Sequence, residues 1–92
     1  MGADAQKIQN AARDPEALAR LVEEYRPFIL REASVAARRY LTDSDDEWSV
    51  ALGAFSQAVE QYAPEKGGFP AFARLMIRRR LVDYYRSQKK FQ

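Results

Sequence analysis

The sequence predicts an all-α domain, a compact bundle of three or four helices. Three observations carry that reading. Apolar residues recur at the 3.6-residue helical period through Leu18–Tyr40 and again through Trp48–Tyr62. No stretch alternates apolar and polar residues as a half-buried strand does. Turn-forming residues gather between the periodic stretches, above all Pro64, Gly67, Gly68 and Pro70 within seven residues. Ninety-two residues suit a single domain, 1–92, with a modest core.

The elements follow in order. Ala3 to Ala12 has only Ile8 as a large apolar residue, so a short and weakly held helix is expected, with residues 1–13 frayed. Asp14-Pro15-Glu16 is a helix start: a capping carboxylate, proline at the first helical position and an acid near the positive helix end. Leu18, Leu21, Val22, Tyr25, Phe28, Ile29, Ala33, Ala36 and Tyr40 then hold one phase. Pro27 lies inside that phase and cannot donate to the Glu23 carbonyl, which predicts a kink or a brief break there. Thr42-Asp43-Ser44 connects to the next helix, and Ser44-Asp45-Asp46-Glu47 has the form of a capping box, with Ser44 as the cap. Trp48, Leu52, Phe55, Val59 and Tyr62 form its apolar stripe, most simply core. After the Pro/Gly turn a basic helix runs from near Pro70 to about Ser87, and residues 88–92 are expected to fray.

Composition narrows the chemistry. The chain has no histidine and no cysteine, which removes the usual zinc ligands, the commonest general base and any disulfide. No apolar run spans a bilayer, the N-terminus lacks a signal-peptide core, and Gln6 stands where a myristoylation signal wants Ser or Thr. A cytoplasmic, non-enzymatic protein without cofactors is expected. The net charge of +2 is mild, but its distribution is polar. Four acids and no base lie between Asp43 and Glu47; seven basic residues and only Asp83 lie between Arg74 and Lys90. Oppositely charged helix regions suggest two different partners.

Each cluster has an ordinary reading beside the functional one. The acids fit a helix N-terminus, and Trp48 at the sixth position of a loop counted from Asp43 argues against calcium. The run Arg78-Arg79-Arg80 fans around the helix; Arg74 and Arg78 share one face, Arg79 and Arg86 a neighbouring one. Such arginines clamp phosphates or read guanine edges, or they remain a solvated flank. Asp83 is placed to orient an arginine, accept from a cytosine amine, or pair with Arg79 or Arg80. Phe69 and Phe72 either anchor the helix start in the core or stack single-stranded bases.

The stretch from Asp45 to Arg86, DDEWSVALGAFSQAVEQYAPEKGGFPAFARLMIRRRLVDYYR, resembles region 2 of the bacterial sigma-70 family, RNA polymerase subunits that find and open promoters. SDDEWS and FARLMIRRRLVDYYR look most like the Sigma-I subgroup of alternative sigma factors. The resemblance implies that the start of the acidic helix docks on the clamp coiled coil of the polymerase's largest subunit. Asp46, Ser49, Val50 and Leu52 then occupy contact positions, with Asp45 and Glu47 beside them. It implies that Phe72 matches the aromatic of the flipped −10 base and Phe69 one just upstream, with Arg74, Arg78, Arg79, Asp83 and Arg86 on the promoter-facing helix. Leu75-Met76 replaces the Trp-Trp pair that wedges the duplex in housekeeping members, which fits a stricter promoter. A membrane-anchored anti-sigma factor is an implied partner. A full sigma factor also carries a −35-binding domain, for which this chain has no room, so a fragment or excised domain is expected. Two other classes remain: a protein-interaction bundle that does not touch DNA, and a helical nuclease or RNA-binding module using carboxylates and a metal.

Overall fold

The computed structural model describes residues 2–89, with side chains from Ala5 onward. It is all-α, as the sequence predicts. Helix α1 spans Gly2–Arg13, α2 Pro15–Ala37, α3 Asp46–Gln61 and α4 Phe69–Lys89; a short 3-10 turn, Pro64–Lys66, precedes α4. No strand occurs among the described residues.

Helix α2 starts where the sequence places it. The Asp14 carboxylate accepts from the Glu16 backbone N–H at 3.0 Å, and Pro15 takes the first helical position. It then continues through Pro27 as one helix, so of the expected kink or brief break the break does not occur. The proline is exposed and its neighbours are not: Tyr25 packs edge-on to Phe28 at 5.7 Å, and Ile29 is fully buried. Burial on both sides of the proline holds the two halves in one helix despite the missing hydrogen bond. Arg38 ends α2 in the left-handed conformation, φ 61°, and the Ser34 hydroxyl accepts from the Leu41 N–H at 3.0 Å.

The N-terminal helix is docked rather than frayed. Ile8 and Ala11 are buried in the common core, and Lys7 pairs with Glu24 of α2 at 2.5 Å. A small second apolar residue one turn from Ile8 was enough to seat it. At the other end α4 continues two residues past Ser87, to Lys89; the rest of the expected frayed tail, 90–92, lies outside the described residues.

The capping box does not form. Asp45, not Ser44, precedes α3, and its carboxylate turns back to accept from the Thr42 N–H at 2.8 Å. Glu47 is drawn away from the helix start toward Arg39 and Tyr85. The buried face of α3 also sits further round than the large apolar residues suggest. It is Glu47, Ala51, Ala54, Phe55, Ala58 and Val59; Trp48 and Leu52 lie at its edge. Trp48 packs one side against the core while the Arg26 guanidinium covers its ring at 5.0 Å.

The core is aromatic at one end. Phe55 meets Phe69 at 5.6 Å and Tyr25 at 5.3 Å, and Tyr62 meets Phe69 at 5.3 Å. Helices α2 and α4 run in the same direction, with Tyr25 on Phe69 at one end and Ala37 sharing a hollow with Tyr85 and Gln88 at the other. Helix α3 runs back between them. Gly67, at φ 91°, makes the turn into α4 possible, and the Tyr62 hydroxyl donates to its carbonyl at 2.6 Å.

Because Phe55 is wholly buried and Trp48 is not, Phe55→Ala is expected to cost about 3–5 kcal/mol and Trp48→Ala distinctly less. Urea unfolding of the two variants checks the order; equal losses would place the tryptophan inside.

Candidate polymerase and nucleic-acid interfaces

The acidic cluster is mostly committed to the fold. Asp43 accepts from Arg26 at 3.1 Å. Asp45 holds Thr42 and lies 3.5 Å from Arg39. Glu47, 7 % exposed, accepts from Arg39 at 3.0 Å and from the Tyr85 hydroxyl at 2.8 Å, tying the first turn of α3 to α4. Asp46 alone has no ion-pair or hydrogen-bond partner among the described residues, and it is exposed. Ser49 lies one turn on and is exposed as well; Val50 and Leu52 are half-buried at the margin. Gly53 completes that outward face, and a Cβ there would meet nothing within 4 Å. Of the six residues the resemblance places at this contact, the structure therefore presents Asp46 and Ser49 outward and turns Glu47 inward.

These bonds set the ionisation of the cluster. The Thr42 backbone N–H, with Arg39, outweighs desolvation and holds the Asp45 carboxyl below its usual range. Burial pushes the Glu47 carboxyl up, but the Tyr85 hydroxyl, a backbone N–H and Arg39 together bring it below that range. Burial, then the hydrogen bond to Glu47, pushes the Tyr85 phenol up to about 12.

On α4 the predicted DNA-facing residues divide. Phe69 is 2 % exposed among three other rings and is a core residue, so it offers no stacking face. Two phenylalanines three residues apart cannot be told from each other by composition; their helical phase decides. Phe72 is half-buried, 6.0 Å from the Tyr62 ring, with the Lys66 ammonium 5.6 Å from its own. Arg74 and Arg78 both turn to Glu32 of α2: Arg78 Nη2 and Nε donate to one carboxylate oxygen at 2.9 and 3.2 Å, and Arg74 Nε lies 3.6 Å from the other. Sequence reasoning missed Glu32; a lone acid in the apolar phase of α2, between Ile29 and Ala33, was the available signal. Arg80 bonds the Gln57 amide oxygen. Arg79, Asp83 and Arg86 have no such partner among the described residues, so the expected Asp83 pairing with Arg79 or Arg80 is not made. With Arg78 and Val82 they line an open hollow of about 430 Å³. The exposed side chains of Leu75 and Val82 share this outward surface.

No group of three or more acidic, His or Cys residues among the described residues is placed to hold a metal ion, and no described helix is long and apolar enough to cross a membrane.

Residues 21–91 match the family model for sigma-70 region 2. The chain belongs to this family. It is 46 % identical over 84 residues to the RNA polymerase sigma factor SigI of Bacillus anthracis, covering 90 % of this chain and 34 % of that protein. It is 44 % identical over 71 residues to SigI of Bacillus subtilis (strain 168), covering 76 % and 28 %. SigI7 of Acetivibrio thermocellus is 38 % identical over 86 residues, covering 92 % and 37 %. The chain thus spans about a third of the length of these curated relatives. Sigma factors are transcription-initiation factors and not enzymes, and the Sigma-I resemblance read from SDDEWS and FARLMIRRRLVDYYR stands.

The Glu47–Tyr85 bond generates a pH prediction. The folded Tyr85 phenol titrates near 12 instead of the ordinary 10.0, so its contribution is fully present below pH 10.0 and is lost as pH rises toward 12. Glu47 has the opposite sign: its contribution is present above the usual carboxylate range and fades on acidification. Tyr85→Phe should flatten the alkaline limb of the stability curve and cost about 1.5–3 kcal/mol at neutral pH. Thermal unfolding across pH measures both; an unchanged alkaline limb would show that Tyr85 does not hold Glu47.

Proposed function

We propose that this sigma-70 region 2 chain binds core RNA polymerase through the start of α3 and recognises and melts the −10 promoter element with the outward face of α4, as part of an alternative sigma factor working in the cytoplasm. The observation that carries the reading is which charges the fold leaves over. Internal partners take up Asp43, Asp45 and Glu47, while Asp46 has no partner among the described residues and is exposed beside Ser49 and Gly53. On α4, Arg79 and Arg86 likewise have no ion-pair or hydrogen-bond partner among the described residues. A side chain with no work inside the fold is available to a partner, and uncompensated surface charge steers association.

The polymerase contact receives a second support beside Asp46. The end of α2 and the following loop form an apolar groove of about 510 Å³ lined by Leu30, Ser34, Val35, Tyr40 and Leu41, with Arg38 and Arg39 on its rim. Tyr40 is 96 % exposed. Arg39 joins this groove to the acidic cluster through Asp45 and Glu47. A helical coiled coil bearing both charges fits a surface of one free acid, a flat helix face and a basic-rimmed groove.

For the promoter, Arg79 and Arg86 take phosphates or base edges, and Asp83 between them accepts from a base amine or orients one of the two arginines. Phe72 sits at the beginning of that face, beside the glycine turn, and traps an unpaired base by stacking. A base held in this way cannot return to the duplex, which favours the open state. A membrane-anchored anti-sigma factor that covers the Asp46 surface would silence the domain by occlusion, and it would compete with a clamp fragment for binding.

Two substitutions test the two surfaces separately. Asp46→Arg is expected to abolish binding to a clamp coiled-coil fragment while leaving helicity unchanged by circular dichroism; undiminished affinity would refute the docking. Phe72→Ala is expected to lose about 1–3 kcal/mol on single-stranded non-template −10 DNA and little on duplex. Equal losses on both forms would make Phe72 a packing residue only.

A further inference from the structure

The basic helix α4 is restrained by an acid from another helix. Glu32 is 5 % exposed, set on α2 between the fully buried Ile29 and Ala33. Its two carboxylate oxygens are divided between two arginines: one accepts from Arg78 at 2.9 and 3.2 Å, the other faces Arg74 Nε at 3.6 Å. The arginine side chains remain 45–50 % exposed, Arg78 held through Nε and Nη2 and Arg74 facing the carboxylate through Nε. Three charged groups thus show solvent a surplus of one positive charge where the α4 sequence alone promises two.

We propose that Glu32 is a charge-limiting residue for nucleic-acid binding: by holding Arg74 and Arg78 it caps the sequence-independent attraction of α4 for a phosphate backbone. The inference rests on the promoter reading given above. A phosphate cannot strip both arginines away cheaply, because a buried carboxylate left without a cation is strongly disfavoured. It meets instead a cluster already half neutralised. Phosphate contacts supply affinity for every sequence alike, whereas discrimination comes from base contacts and base trapping. A domain that must search for one short element gains by holding the first term down while leaving Arg79, Arg86 and Phe72 free for the second.

The test is the salt dependence of binding to a short duplex of mixed sequence, using this chain and fluorescence anisotropy. Glu32→Gln keeps the shape and an acceptor oxygen and removes the charge. It should bind the duplex more tightly at low salt, with a log–log slope steeper by about 0.7–0.9. An unchanged slope in a folded variant would reduce Glu32 to a packing contact and overturn the proposal. Should that variant fail to fold, a second pair decides. Arg78→Leu alone should flatten the slope by about 0.7–0.9, and adding Glu32→Leu, an apolar replacement of the buried pair that folding tolerates, should restore it. A double variant as flat as Arg78→Leu would overturn the proposal equally. Wild-type protein that shows no salt-dependent binding to duplex or single-stranded −10 DNA would refute the promoter reading itself, and the charge-limiting role of Glu32 with it.

Discussion

Among the described residues two carboxylates are taken out of water, and side chains of α4 answer both. Glu32 comes from α2 and meets Arg74 and Arg78; Glu47 comes from the first turn of α3 and meets Tyr85, with Arg39 alongside. A buried charge must be paired, so these contacts fix how α4 is rotated about its own axis as firmly as its apolar stripe does. Phe69, Ala73, Ile77 and Leu81 face the core, and Arg78 and Tyr85 face the carboxylates beside it. What remains is a single outward strip. Arg79 lies about 100° round from Arg78, and Arg86, seven residues on, returns to within about 20° of it. The candidate DNA face is therefore a consequence of internal pairing.

Small residues do the complementary work on α3. Ala51, Ala54 and Ala58 line its buried face almost without exposure, and α3 makes its most extensive packing with α4. Alanine has no side-chain rotamers to lose and allows close approach of two helix backbones. The large residues then gather at one end, where Tyr25, Phe55 and Tyr62 pack edge to face on Phe69 and Tyr25 lies tilted against Phe55. That aromatic end also supports the glycine turn through the Tyr62 hydroxyl, which places Phe72. Core and candidate base-trapping residue share one cluster, so the position of the Phe72 ring inherits the rigidity of the core.

Much of this was legible in the sequence, and the failures have physical causes. Helical period, the Asp14-Pro15 start and the Pro/Gly turn gave the all-α bundle and its elements. Periodicity judged by large residues placed the α3 stripe on Trp48 and Leu52, about one residue round from the alanines that are actually buried, because a small residue signals burial weakly. The S-x-x-E pattern at Ser44 was outcompeted: Asp45 found the Thr42 N–H, and Glu47 found a cation and a phenol on other elements. Phe69 and Phe72 are three residues apart, and only the rotation of α4 decides that one is core and the other marginal. A long-range pair such as Glu32 with Arg78 leaves only half a local trace: the acid stands out in the apolar phase of α2, but nothing nearby in sequence names its partner.

That last gap bears on how basic helices are read. From Arg74 to Lys89 the chain carries six cations against Asp83, and composition counts them alike. The fold does not. Arg74 and Arg78 compensate a buried acid, Arg80 bonds an amide oxygen, and Arg79 and Arg86 have no internal partner among the described residues. The same separation holds at the acidic end, where three acids brace the fold and Asp46 does not. Charges that stabilise are those whose removal leaves a partner stranded; charges that recruit are those whose removal leaves the fold untouched. In a 92-residue domain with little stability to spare, these two groups have to be different residues, because a side chain spent on the fold cannot be withdrawn to greet a partner without loosening the helix that presents it.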